Sequence, residues 1–185
     1  FLEVNHGPYL VDNNIMLSDM AILNRSEGGA FVHNLIAGRL VGPRHEGRLT
    51  PYQQEHATAL MGLGQTLGGD DRYYNNIFVG GPGLKNYRDA VRPVHAGGNV
   101  FLAGASTLGD DTGALHLPDF DPGVEVVKEG DTYYLSLSLP QALRDHETQL
   151  VTTELLGRAQ VTALPYESRD GTPVRITTDY HNADR

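Results

Sequence analysis

Four stretches of the chain resemble one another: VDNNIML at 11–17, FVHNLIAG at 31–38, YYNNIFVG at 73–80 and GGNVFLAG at 97–104. Each sets an asparagine before an apolar pair or triplet, which aligns Asn14, Asn34, Asn76 and Asn99. The intervals are 20 (34 − 14), 42 (76 − 34) and 23 (99 − 76) residues. A period in the low twenties, with one short strand group per repeat and no helical pattern, constrains the fold strongly. Such a unit buries its apolar face only against the next unit in line. Leucine-rich repeats share the period, but their leucine framework is absent. The architecture expected is all-β: a right-handed parallel β-helix followed by an antiparallel β-sheet or β-sandwich region. In it Ile15, Leu35, Ile77 and Val100 are expected to stack inward. The asparagines are expected at tight corners, where they tolerate left-handed backbone angles and can bond to each other in a ladder. The 42-residue interval is close to two periods, which predicts a further turn disguised by a longer excursion.

The coils are expected over residues 1–118, with an active-site loop at about 39–72, and the antiparallel region over 119–185. The loop is dense in ionisable groups, among them Arg44, His45, Glu46, Arg48, His56, Asp70, Asp71 and Arg72. Loops leaving a rigid repeat are where binding groups are commonly presented, and a solvated surface loop is the bland alternative. Beyond LPDFDPG the pattern changes. VEVVKEGDTYYLSLSL reads as a hairpin turning at Gly130, LVTTELLGRAQV and TPVRITTD as strands, ESRDGTP as a turn, and QALRDHETQ as a short helix or loop.

The 185 residues carry a formal charge of −9, which repels phosphate backbones and argues against nucleic acid, whereas a neutral sugar is not repelled. No apolar run reaches membrane-spanning length, so no membrane partner is expected. Without cysteine, and without a paired-histidine spacing, zinc is not expected. No cofactor is expected either, and a structural calcium at Asp70–Asp71 or Asp110–Asp111 is the weak exception. Cysteine usage does not report the compartment; the cytoplasm is favoured. The chain starts at Phe1 with its apolar pattern already running, which leads us to expect one piece of a longer polypeptide.

That first segment, FLEVNHGPYLVDNNI, wedges a carboxylate between Leu2 and Val4. Alternation points Leu2, Val4 and His6 one way and Phe1, Glu3 and Asn5 the other. Burying an ionised Glu is costly, so Glu3 either faces water or belongs to a site that uses the cost.

FLEVNHGPYLVDNNIMLS, EGGAFVHNLIAG, RLTPYQQEHATALMG, GGDDRYYNNIFVGG and TTELLG with DGTPVRITTDY resemble, in that order, glycoside hydrolase family 120. The resemblance covers essentially the whole chain. It implies a β-xylosidase on a parallel β-helix with an associated β-sandwich: a retaining exo-β-1,4-xylosidase releasing xylose from xylo-oligosaccharides. By the same resemblance Glu3 is the acid/base. The nucleophilic Asp lies about one coil upstream, in an LDW-type segment that this chain lacks, so the remaining N-terminal part of the enzyme becomes a partner. Adjacent coils lie about 4.8 Å apart, compatible with the roughly 5–5.5 Å between the carboxyls of retaining enzymes. A neighbouring carboxylate would also help keep the acid protonated.

Glu27 is the rival carboxylate, although Gly28 and Gly29 also suit it to a turn. Substrate-binding candidates are Asn5, His6, Arg48, Tyr52 and His56. Arg and His bond to hydroxyls, and Tyr offers an apolar face to a sugar ring. His6 points inward by strict alternation, as a satisfied core histidine would, unless a bulge ahead of Gly7 turns it outward. The family's TPYH stretch with a second His reads TPYQQEH here, so Gln53 and Glu55 depart from it. A homo-oligomer stays open. The alternatives are a non-catalytic β-helix carbohydrate-binding module and a polysaccharide lyase.

Overall fold

The computed structural model describes residues 1–178. Residues 179–185, which end the 119–185 region and include the last two positions of DGTPVRITTDY, lie outside the described residues. The protein is all-β. Its helical elements are single turns at Lys85–Tyr87, Gln141–Arg144 and Thr153–Leu156.

Short strands stack in parallel. One sheet joins Tyr9–Asp12, Gly29–Val32, Arg72–Tyr74 and His95–Gly97 in that order. A second joins Ile15–Met16, Leu35–Ile36, Ile77–Val79, Val100–Leu102 and Leu115–Leu117. Met20–Leu23 pairs in parallel with Arg39–Val41 to make a third. The chain thus runs from the first sheet to the second and, in its earlier circuits, on to the third before returning one level along. The bend between the first two sheets is set by a left-handed residue: Asn13, His33, Asn75 and Gly98 have φ of 54°, 54°, 56° and 66°. Asn and Gly suit that conformation.

The asparagine after each bend forms a ladder. The Oδ1 of Asn34 accepts from the backbone and side-chain N–H of Asn14 at 3.0 and 3.1 Å. Asn76 does the same for Asn34, both at 3.0 Å, and Asn99 for Asn76 at 2.9 and 3.0 Å. The amides of Asn34, Asn76 and Asn99 also donate to a carbonyl one circuit back, as from Asn76 to Phe31 at 2.8 Å. Asn99 ends the run on Asp111 at 2.9 Å.

The ladder corrects two expectations. Asn34 meets Asn76 directly, and Leu35 pairs with Ile77, so the long interval is one turn lengthened by an insertion. The insertion is an antiparallel hairpin, Glu46–Gln53 with Leu60–Thr66. The inward phase is also shifted. Asn34, Asn76 and Asn99 are buried and point in, so the next residue points out and the one after points in. Ile36, Phe78 and Phe101 are in the core, whereas Ile15 is 42% exposed and Leu35 and Ile77 are half-buried. Val100 is buried, but it lines an outer groove with Leu143 and His146. In-register stacking follows: Phe31 on Tyr73 at 4.8 Å and Phe78 on Phe101 at 5.1 Å, each within 6° of parallel.

The other face of the first sheet is covered by the later chain: Ala30, Val32 and Tyr74 pack with Val151, Leu156, Tyr166 and Val174. Only Val151–Thr152 of LVTTELLGRAQV is strand, paired antiparallel with Arg175–Ile176. Thr153–Leu156 is a helical turn, because the Thr152 hydroxyl caps the Leu155 N–H at 3.2 Å and Gly157 stops the turn at φ 72°. The hairpin Glu125–Glu129 with Thr132–Ser136 forms as read and stands mostly in solvent.

Candidate active site

The first residues run beside residues 23–27. Leu2 N–H donates to Leu23 C=O at 2.9 Å, Arg25 N–H to Leu2 C=O at 2.8 Å, and Glu27 N–H to Asn5 C=O at 2.9 Å. Leu2 and His6 turn in and Glu3 and Asn5 turn out as expected, but Val4 has φ +40° and breaks the extended alternation. Gly7 then passes so close to the Gly28 carbonyl that a Cβ would lie 2.3 Å from its oxygen, and its φ is +67°. Only glycine allows that approach.

Glu3, Asn5 and His6 border a cleft of about 530 Å³, shared with Tyr52 and His56 of the inserted hairpin and with residues 162–168. Arg48 does not line the cleft but grips Glu3, Nη2 to Oε1 at 2.5 Å, with both side chains more than half exposed. Five of the six predicted site residues therefore border one cavity, and the sixth holds the carboxylate at its edge.

His6 borders the cleft without a free ring nitrogen. It is buried, with Nδ1 2.9 Å from Glu27 Oε1 and Nε2 2.8 Å from the Thr50 hydroxyl. Its assignment as a substrate ligand is therefore corrected: the inward reading of alternation prevails, and the ring pins the hairpin to the Glu3 segment. Glu27 is corrected too. It is fully buried and receives His6, the Leu67 N–H at 3.0 Å, the Gly68 N–H at 3.4 Å and Arg92 Nε at 2.9 Å. It anchors the hairpin exit and does not face the cleft. Tyr52 lies edge-on to His6 at 5.6 Å, over Gly62, where a Cβ would come within 2.5 Å of its ring and hydroxyl. The alternate glycines of MGLGQT clear the space for Tyr52 and His6.

Asn5 Oδ1 accepts the Gly7 N–H at 2.7 Å. His56, at the hairpin tip with φ +51°, places Nε2 3.1 Å from Glu167 Oε2. The far wall of residues 162–168 was not anticipated from sequence, where ESRDGTP reads only as a turn. Tyr166 fixes that wall, with its hydroxyl donating to the Gly28 carbonyl at 2.9 Å.

The Asp70–Asp71 pair is committed to the protein. Asp70 receives Arg72 Nη1 at 2.6 Å and the Gln160 N–H at 2.7 Å, and Asp71 receives the Gly29 N–H at 2.9 Å and Asn24 Nδ2 at 3.1 Å. Burial pushes the Asp71 carboxyl well above its usual range, helped by Asp70 beside it. Among the described residues, Glu55, His56 and Glu167 are the group whose metal-binding atoms gather within 4.8 Å of one another.

A solved structure of XylC with xylose has the same architecture. Its TM-score is 0.88 and its sequence is 35% identical, over 99% of this chain and 33% of that one. This chain is similar to a portion of XylC. It spans a third of the length of XylC. No family model matches the sequence, and no curated protein matches it.

Proposed function

We infer that this chain supplies the acid/base half of a retaining exo-β-1,4-xylosidase of the glycoside hydrolase family 120 type, acting on xylo-oligosaccharides. The stacked parallel sheets are read as coils of a right-handed parallel β-helix, with residues 119–185 packed upon it. The observation that carries the reading is Glu3: an exposed carboxylate at the rim of a polar cleft, on a fold similar to a protein solved with xylose. In this reading Glu3 protonates the glycosidic oxygen as the bond to the anomeric carbon breaks. It then takes a proton from the water that releases xylose.

Arg48 orients the Glu3 carboxylate, and Asn5 and Tyr52 contact the sugar. The nucleophilic carboxylate comes from polypeptide beyond this third of a XylC-like protein. The test is hydrolysis of an aryl β-xyloside by the full polypeptide. Glu3→Gln is expected to reduce kcat at least 100-fold while leaving the thermal midpoint in place. Unchanged turnover would remove Glu3 from the mechanism.

A further inference from the structure

The cleft is larger than one pentose requires: at about 530 Å³ it lies within the range that holds drug-sized ligands. Three parts of the chain line it: Glu3 and Asn5 from the first segment, His56 from the hairpin tip, and Glu167 from the later chain. His56 and Glu167 are 111 residues apart in sequence (167 − 56), yet their side chains meet at 3.1 Å.

Both are held rather than drifting. His56 keeps a backbone angle that is uncommon for a non-glycine residue. Glu167 follows the buried Tyr166, which is bonded to Gly28, and its own backbone bridges to Pro173. His56 is 64% exposed and Glu167 25%, so solvent, or a ligand in its place, reaches them. A carboxylate that accepts beside an imidazole that donates matches adjacent hydroxyls on a sugar ring, with charge-assisted bonds.

We propose that Glu167, with His56, forms a second saccharide subsite that binds the ring on the leaving-group side of the scissile bond. The proposal rests on the xylosidase reading of Glu3. That side follows from topology. The Glu3 segment pairs with residues 23–27 of the next circuit, and the xylosidase reading places the nucleophile one circuit before Glu3, on the other side of that segment. The wall at 162–168 is fixed to the later circuit at Gly28, on the opposite side. Glu3 delivers its proton to the oxygen joining the two rings, and the departing ring therefore extends toward Glu167.

The test uses the full polypeptide and two substrates: xylobiose, whose leaving group is a sugar, and an aryl β-xyloside, whose leaving group has no hydroxyls. In Glu167→Ala and Glu167→Gln, the ratio of kcat/KM for xylobiose to that for the aryl xyloside is expected to fall at least fivefold. A smaller change overturns the subsite. A loss that chelator reproduces in the wild type and added calcium or manganese reverses also overturns it, because Glu55, His56 and Glu167 would then be holding a cation. If the wild type hydrolyses neither substrate, the xylosidase reading fails, and calorimetric titration decides the subsite alone. Xylobiose affinity weakened at least fivefold by Glu167→Gln, with xylose affinity less affected, sustains it, and equal effects on both sugars end it.

Discussion

Two carboxylates 24 positions apart have opposite fates, and the surroundings of each show why. Glu3 keeps its water and one exposed cation, Arg48. Glu27 has lost its water and gained two basic side chains and two backbone N–H donors. An exposed pair contributes about 1 kcal/mol or less, whereas removing one partner of a buried pair leaves its charge uncompensated and costs roughly 3–5 kcal/mol. Glu27→Ala is therefore expected to lower unfolding free energy by about that larger amount in urea titration. Glu3→Gln is expected to shift it by under about 1 kcal/mol while removing turnover. A small effect of Glu27→Ala would mean that the His6–Glu27–Arg92 cluster does not hold the hairpin. Strict alternation gave the inward turn of His6, although His6 was also a substrate-binding candidate. The fate of Glu27 was not readable, because its partners Leu67, Gly68 and Arg92 follow it by 40 to 65 residues.

Between neighbouring circuits the asparagine ladder is the repeating bond, and Asp111 is where it stops. Asp111 receives Asn99, but its Oδ1 is buried without a hydrogen-bond partner among the described residues. Burial pushes its carboxyl up to about 6, against an opposing pull from Asn99. The raised value means that the folded protein holds this proton more tightly than the unfolded chain does. Stability from this group is therefore greatest below the unfolded value near 4, falls as pH climbs to about 6, and is level above that. Asp111→Asn is expected to flatten this limb and to raise stability above pH 6 by about 1 kcal/mol, the full conversion being reduced by partial solvation. Thermal midpoints of both proteins from pH 4 to 8 check it, and parallel curves would count against the assignment. The repeat in the sequence disclosed the ladder. It could not disclose that Asn34 and Asn76 are adjacent, because an inserted hairpin and a skipped turn lengthen the interval alike.

At the scale of the molecule, the cleft exists because the C-terminal segment returns to the first sheet, and Arg72 is the main tie. Its guanidinium bonds Asp70, the Leu156 carbonyl at 2.9 Å and the Arg158 carbonyl at 2.7 Å, and it lies 5.1 Å from the Tyr166 ring centre. Arg72→Ala leaves Asp70 buried without its cation, a loss of roughly 3–5 kcal/mol. Amide exchange is expected to quicken first across 156–168, and sugar affinity to fall as the far wall loosens. Uniform protection would show that apolar packing alone holds the segment. The sequence by itself determined the stacked all-β architecture, the asparagine ladder and the outward turn of Glu3, since each depends on local geometry or on a period of two or about twenty. The left-handed corner, by contrast, falls on the residue before each ladder asparagine. Only the tertiary structure decided that residues 162–168 form the wall facing Glu3, Tyr52 and His56. Tyr166 and Glu167 lie more than 150 residues beyond Glu3 and over 100 beyond the hairpin that carries Tyr52 and His56. Contacts of that range leave no periodic mark in a sequence, because they follow from how completed elements pack and not from the angles available to neighbouring residues.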